Sequence, residues 1–456
     1  MEMTREERLG TEKLGKLIVS MALPAMAAQL INVLYNIIDR MYIGHIEGYG
    51  SLALTGVGIT FPIITLISAF SEFAGVGGAP LAAMKLGKKD YDGAEKILGT
   101  SAALILTFSV SLTLFFTIFK EQILYLFGAS DNIIQYASDY IGIYLLGTIF
   151  VQTAVGLNHY ISAQGQAKIA MLSVCIGAII NIILDPILIF GFGLGVKGAA
   201  IATIFSQACS AIWVVRFLIS KESIIRLRRR NIRFHKMFLS KIAALGMSPF
   251  IMTSTGSLVS ITLNSGAQKY GGDVYVGSMS ILLSIIQLIQ VPISGISYGI
   301  QPIMSYNYGA GNKKRVIDSA KRLFILCTSV SMFTTGLVML FPEIFTGIFT
   351  SDEALFNLTV EVMPIFFIGM TIFGIQLACQ GVFVALGQAK ISIVIALLRK
   401  VVLLVPLAII LPKYIGVMGI YYAEPISDVI SVAAASILFL VSIKKILYGT
   451  NDKETI

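Results

Sequence analysis

The chain has 456 residues, 56% of them hydrophobic and 13% charged, with a formal net charge of +9. Soluble domains carry about 25% charged residues, so this balance, with a mean hydropathy of +0.84, describes a protein whose solvent is mostly lipid. It excludes a soluble domain, and it excludes nucleic-acid binding as the reason for the positive charge, because the basic residues sit in connections between long apolar runs.

Residues 1–13 are polar and lead directly into a long span, with no short apolar segment followed by a small-residue cleavage site. The first helix is therefore expected to act as its own insertion signal. The chain predicts helices near 15–44, 52–84, 93–119, 130–161, 168–190, 197–220, 240–268, 276–306, 316–341, 353–385, 391–411 and 417–445. Each is long enough to cross about 30 Å of hydrocarbon. The expected fold is all-α and membrane-integral, with about twelve transmembrane helices. Most of the 34 Lys and Arg fall in alternate connections, among them KLGKKDYDGAEK, KESIIRLRRRNIRFHK and YNYGAGNKKRVIDSAKR. By the excess of positive charge on cytoplasmic loops, both termini are expected in the cytoplasm and the protein in the plasma (inner) membrane.

Cys175, Cys209, Cys327 and Cys379 all fall inside predicted helices without paired spacing, which suits small apolar packing. His45, His159 and His235 have no metal-ligand spacing, so neither a structural metal nor a cofactor is expected.

The second half of the chain repeats the plan of the first. GQAKIAMLS at 165–173 returns as GQAKISIVI at 387–395, and GVKGAAIA at 195–202 returns as GVMGIYYA at 416–423. Such a period implies duplication. With an even number of spans per half, the two six-helix bundles form a parallel, pseudo-symmetric repeat around a central cleft. The expected division is 1–220 for the first bundle, 221–239 for a basic cytoplasmic linker and 240–456 for the second bundle. Pro24, near the start of the first helix, is a candidate hinge, and GVGGAP is expected to loosen the second helix.

The copies are most informative where they disagree. Setting Pro24 against Pro249 places Asp39 opposite Asn264, and Asp185-Pro186 of NIILDPILIFG stands against Val405-Pro406 of VVLLVPLAIILP. Both acids survive only in the first half. An intramembrane carboxylate costs roughly 2.5–3.5 kcal/mol on insertion scales and marks an ion or proton path by default. Asn181 and Asp185 share a helical face at i,i+4, and Asn32, Asn36 and Asp39 form a polar stripe with Tyr35. Tyr140, Asn158 and Thr203 add polar groups at depths like that of Asp185 on other helices of the bundle. A hydrogen-bond cluster that holds the bundle together is the plainer alternative for these neutral residues, but such a cluster does not need two carboxylates. Asp39 and Asp185 are expected to lie together, share one proton at neutral pH and release it when water reaches them. The same oxygens suit a hard cation such as Na⁺.

Other polar groups are candidates for a substrate cleft: Gln29, Tyr35, Glu72, Asn264, Arg399, Glu424 and Asp428. Glu424 and Asp428 are i,i+4 in the last helix, and Arg399 or Lys400 can neutralise them, so a structural ion pair is the competing role.

The ordered set of LPAMAAQLINVLYNIIDRMYIG, the LFGAS…YIGIYLLG segment, GQAK twice, NIILDP with GFGLGVKGAA, and YNYGAG resembles the multidrug and toxic compound extrusion (MATE) family over essentially the whole chain. The resemblance implies two six-helix lobes around a cleft, and export of bulky, often cationic compounds against H⁺ or Na⁺. Within the family it points to the DinF-like or MepA-like branch. By motif, that branch's first-helix aspartate falls on Asp39, its fifth-helix aspartate on Asp185, and its associated polar residues on Tyr140, Asn158, Asn181 and Thr203. The NorM-like branch carries acids on its seventh and tenth helices, where this chain's segments PFIMTSTGSLVSITLNSG and PIFFIGMTIFGIQLACQG have no carboxylate. The resemblance thus implies a multidrug antiporter rather than an enzyme, coupled to H⁺ in preference to Na⁺. Its partners would be small organic substrates and the bilayer, with no nucleic acid, and it would work as a monomer.

A membrane enzyme is not expected, because no clustered His or nucleophile–base arrangement appears in the sequence. An ATP-driven pump needs a nucleotide-binding domain, and the only approach to its phosphate-loop motif, Gly10 to Lys16, is followed by Leu17 rather than Ser or Thr. A lipid-linked oligosaccharide or lipid flippase of the same superfamily would line its cleft with several Arg or Lys. A gated channel would show uncoupled conductance.

Overall fold

The computed structural model describes residues 5–350 and 352–449. The extremities of the expected termini, 1–4 and 450–456, lie outside the described residues. After a short helix, Arg5–Thr11, the first bundle runs α1 Leu14–Gly44, α2 Gly50–Gly87, α3 Tyr91–Leu126, the bent pair α4 Ile134–Leu146 with Thr148–Ala163, α5 Ala167–Gly191 and α6 Val196–Ile219. The second runs α7 Lys236–Gly271, α8 Asp273–Gly309, α9 Lys313–Leu340, the bent pair α10 Glu353–Phe367 with Met370–Ala385, α11 Ala389–Ile415 and α12 Met418–Tyr448. Ten of these helices are long and apolar enough to cross a membrane singly, and the spans number up to twelve when each bent pair counts as one. The chain is a multi-pass membrane protein. Its four cysteines are unpaired.

The expected helices appear within a few residues of their bounds, except that α3 runs on to Leu126 rather than ending near 119, and two spans are bent where no bend was expected. The fourth span bends by 60° at Gly147 and the tenth by 46° between Phe367 and Met370. At Gly147 a Cβ would stand about 2.5 Å from Ile204, so α6 packs where any side chain would block it. α5 widens into a π turn over Ile187–Gly191 directly after Pro186, whose ring lacks the donor that would continue the regular ladder. α11 does the same over Leu398–Leu404. Pro24 sits buried inside an unbroken α1. GVGGAP lies inside a continuous α2. Its glycines serve close packing instead: a Cβ on Gly77 would meet the Ile242 carbonyl of α7 at 2.6 Å.

This contact belongs to a larger seam. The end of α2 meets the start of α7 and the end of α8, and the start of α1 meets α8. A Cβ on Gly87 would run into the Tyr306 carbonyl, and one on Gly309 into the Met84 carbonyl. The bundles are thus pressed together in the half that carries the start of α1, the end of α12 and the segment between α6 and α7. In the opposite half of α1 and α7, Leu30, Leu34, Ile37, Leu258 and Ile261 stand exposed.

Candidate functional site

Asp39 lies in the half of α1 away from the seam, and Asp185 closes the regular part of α5, which packs along α1. Both are buried, at 8% and 0% exposure. Their carboxyl groups come within hydrogen-bonding reach of each other. Asn181, one turn before Asp185, donates from Nδ2 to Asp185 Oδ1 at 3.1 Å. Asp39 Oδ1 and Asp185 Oδ2 have no hydrogen-bond partner among the described residues. A carboxylate only accepts, so two of them facing each other make a hydrogen bond only when one carries a proton or a cation lies between them.

Neutral groups ring this pair. Tyr140 interacts with Asp39 and with Thr203 of α6, and its ring stacks on Tyr144 at 6.3 Å. Tyr35, one turn before Asp39, interacts with Asp39, Asp185, Asn36 and Gln207. Asn36 donates to its own helix, from Nδ2 to the Asn32 carbonyl at 2.6 Å. Among the described residues, the cation acting on Asp39 is Arg40, which is exposed and lies over the Phe61 ring at 4.6 Å.

Tyr35 also reaches a cavity of about 160 Å³ inside the first bundle, whose walls include Gln29, Asn32, Asn158, His159 and Gln207. Tyr298 of α8 closes it from the other bundle, edge-on to His159 with ring centroids 5.8 Å apart. Asn158 donates to the Ala170 carbonyl at 3.1 Å, which holds α4 to α5. One contiguous region therefore joins Asp39, Asp185, Asn181, Tyr140, Thr203, Asn36, Tyr35, Gln29 and Asn158.

The remaining candidates lie elsewhere. Asn264 is on α7, with Nδ2 at 3.5 Å from Ser260 Oγ. Arg399 is sealed in the second bundle, with Nη2 at 2.8 Å from Glu424 Oε1 and Nε at 2.7 Å from Asp428 Oδ1, and its guanidinium lies over Phe373. Glu72 sits where the bundles meet and accepts from Thr253 Oγ1 of α7 at 2.5 Å. The sequence reading did not single out His159, Tyr298, Thr253 or Gln207 for this site. Each is polar within a span, but only the docking of helices shows what it faces.

Two duplicated bundles of membrane helices, a polar cavity in one and a buried carboxyl pair beside it make this a membrane transporter rather than a passive anchor. The MatE family profile matches residues 24–187 and 249–410, once in each half, and the chain belongs to that family. It is 26% identical to multidrug export protein MepA of Staphylococcus aureus (strain MRSA252) over 444 residues, covering 96% of each chain. It is also 26% identical to MepA of Staphylococcus haemolyticus (strain JCSC1435), covering 93% of each. Among solved structures it is similar to MATE in the bent conformation, with a TM-score of 0.90 at 23% identity over 98% of this chain and 99% of that one. It is equally similar to an outward-facing multidrug resistance MATE family transporter of the MOP superfamily, with a TM-score of 0.89 at 22% identity and the same coverage.

Proposed function

We propose that this protein is a multidrug exporter that exchanges a cation, H⁺ in preference to Na⁺, for bulky organic and often cationic compounds. The observation that carries this reading is the Asp39–Asp185 pair: two buried carboxyl groups within hydrogen-bonding reach and, among the described residues, no cation bonded to either and two oxygens without partners. The pair is built to hold one positive charge and to lose it when water enters. Asn181 holds Asp185 in place, and Tyr35 connects the pair to the cavity, where Gln29, Asn32 and Asn158 contribute polar surface, while Asn36 stands beside Tyr35. Thr203 and Tyr140 complete the ring around Asp39. A change at the carboxyl pair thereby reaches the wall that cargo touches.

The division into 1–220, 221–239 and 240–456 fits this mechanism, with two rocking bodies and a basic connector on the cytoplasmic face of the plasma membrane. In that orientation the seam closes the cytoplasmic side and the cleft faces outward. Pro24 and the bend at Gly147 are the points in the first bundle where helices can flex. Flipping of a lipid-linked oligosaccharide is less well supported, because Arg399, a candidate pyrophosphate ligand, is already held by Glu424 and Asp428.

The test is efflux of a fluorescent cationic dye from vesicles under separately imposed proton and sodium gradients. Proton-driven efflux is expected, and Asp39→Asn or Asp185→Asn should abolish it while purified protein stays monodisperse. Full efflux in Asp39→Asn would remove the reading.

A further inference from the structure

The second bundle holds a charge cluster that the Asp39–Asp185 mechanism leaves unused. Taken alone it is balanced: Arg399 and Lys400 on α11 face Glu424 and Asp428 on α12. Arg399 bonds both carboxylates, and Ser427 Oγ donates to the Arg399 carbonyl at 2.8 Å. Lys400 Nζ donates to the Met252 carbonyl of α7 at 2.7 Å and lies in the electrostatic field of Glu424. The balance changes at the seam. Glu72 of the first bundle is bonded to Thr253, the residue after Met252, and also lies in the field of Lys400. With the bundles closed, the cluster carries three carboxylates against two cations.

Glu72 and Lys400 are half-buried and Arg399, Glu424 and Asp428 fully buried, and excess charge held even partly out of water is unfavourable unless something neutralises it. Two carboxylate oxygens, Glu424 Oε2 and Asp428 Oδ2, have no hydrogen-bond partner among the described residues, on side chains only 3% and 0% exposed. Such enclosed oxygens admit a proton more readily than a bulky cargo cation. Around Glu72, α7 contributes Thr253, α11 Lys400 and α8 Tyr298, whose ring meets His159 of α4. Glu424 is acted on by Arg399, Asp428 and Lys400, and Asp428 by Arg399.

We infer that the cluster of Glu72, Lys400, Arg399, Glu424 and Asp428 is a second proton site, completed only when the two bundles close at the seam. Closure brings Glu72 against the otherwise neutral cluster and one proton binds to a carboxylate oxygen there. Parting the bundles returns Glu72 to water and releases that proton. The site rests on the two-bundle architecture and not on the role of Asp39 and Asp185. It ties the position of the seam to pH independently of the first carboxyl pair.

The test measures the distance between spin labels at Lys88→Cys and Lys314→Cys, both exposed beside the seam, in full-length protein free of native cysteines and reconstituted in lipid nanodiscs. Asp39→Asn and Asp185→Asn are included so that the first pair cannot titrate. The closed-to-open ratio should still rise as pH falls, approaching tenfold per pH unit (about one proton per closure). Glu72→Gln should flatten that dependence. Glu424→Gln should also flatten it, since removing any one carboxylate leaves the closed cluster neutral. A ratio independent of pH in the Asp39→Asn, Asp185→Asn protein overturns the inference, as does an undiminished slope in either further variant. Dye efflux plays no part in the readout, so a failure here leaves the coupling role of Asp39 and Asp185 to its own test.

Discussion

Asp90 shows how a single residue can be read through its local chemistry. It lies between α2 and α3, where its Oδ1 accepts from the Gly93 N–H at 2.8 Å and caps α3, while Lys85 Nζ donates to Oδ2 at 2.7 Å. The Lys85 ammonium holds the Asp90 carboxyl below the usual carboxylate range, a shift that burial only partly opposes. A group whose folded value is depressed contributes stability above its unfolded value, about 3.9, and loses that stability as pH falls through the folded value. Asp90→Ala should therefore lower stability at neutral pH by about 1 kcal/mol, the usual worth of such a cap. Thermal melts in detergent should show this difference shrinking as the pH falls below about 4. Asn181 invites a different experiment. Asn181→Leu removes the Nδ2 donor bonded to Asp185 Oδ1 and should reduce proton-driven efflux more than it reduces the melting temperature.

Whole elements obey the same rule of pairing. Arg399 bonds both buried acids of α12, so Arg399→Met leaves them unpaired and should cost about 3–5 kcal/mol. Adding Glu424→Gln and Asp428→Asn to that variant should recover most of the loss, as read by thermal melts. Failure of the triple variant to recover would mean that the cluster holds α11 to α12 by shape rather than by charge.

The helices themselves were legible in the sequence, because a span needs a long apolar run and polar connections punctuate those runs. The breaks at Gly147 and after Phe367 were not. A glycine in an apolar run looks the same whether it bends a helix or admits a neighbour, and GVGGAP does the second. The partnership of Asp39 with Asp185 could be reached by comparing the two halves, since both acids lack a counterpart in the second. The link from Glu72 to Thr253 could not, because it depends on how one bundle docks against the other.

At the scale of the whole molecule, the seam is where the two bundles press together. Its helices touch backbone to backbone, so volume added there acts as a wedge. Gly309→Leu would force the end of α8 away from Met84 of α2 and should lengthen the Lys88–Lys314 label distance. An unchanged distance would mean that the seam absorbs a large side chain without moving. Opening and closing matter for transport only if they are tied to the charge on the Asp39–Asp185 pair. The most direct measurement is proton counting: a tight-binding cationic dye is added to purified protein in weakly buffered detergent solution, and the pH is followed with an indicator. The expected result is that the wild-type chain releases about one proton per dye bound more than Asp39→Asn, Asp185→Asn does. Equal release by both proteins would contradict the role given to the two carboxyl groups.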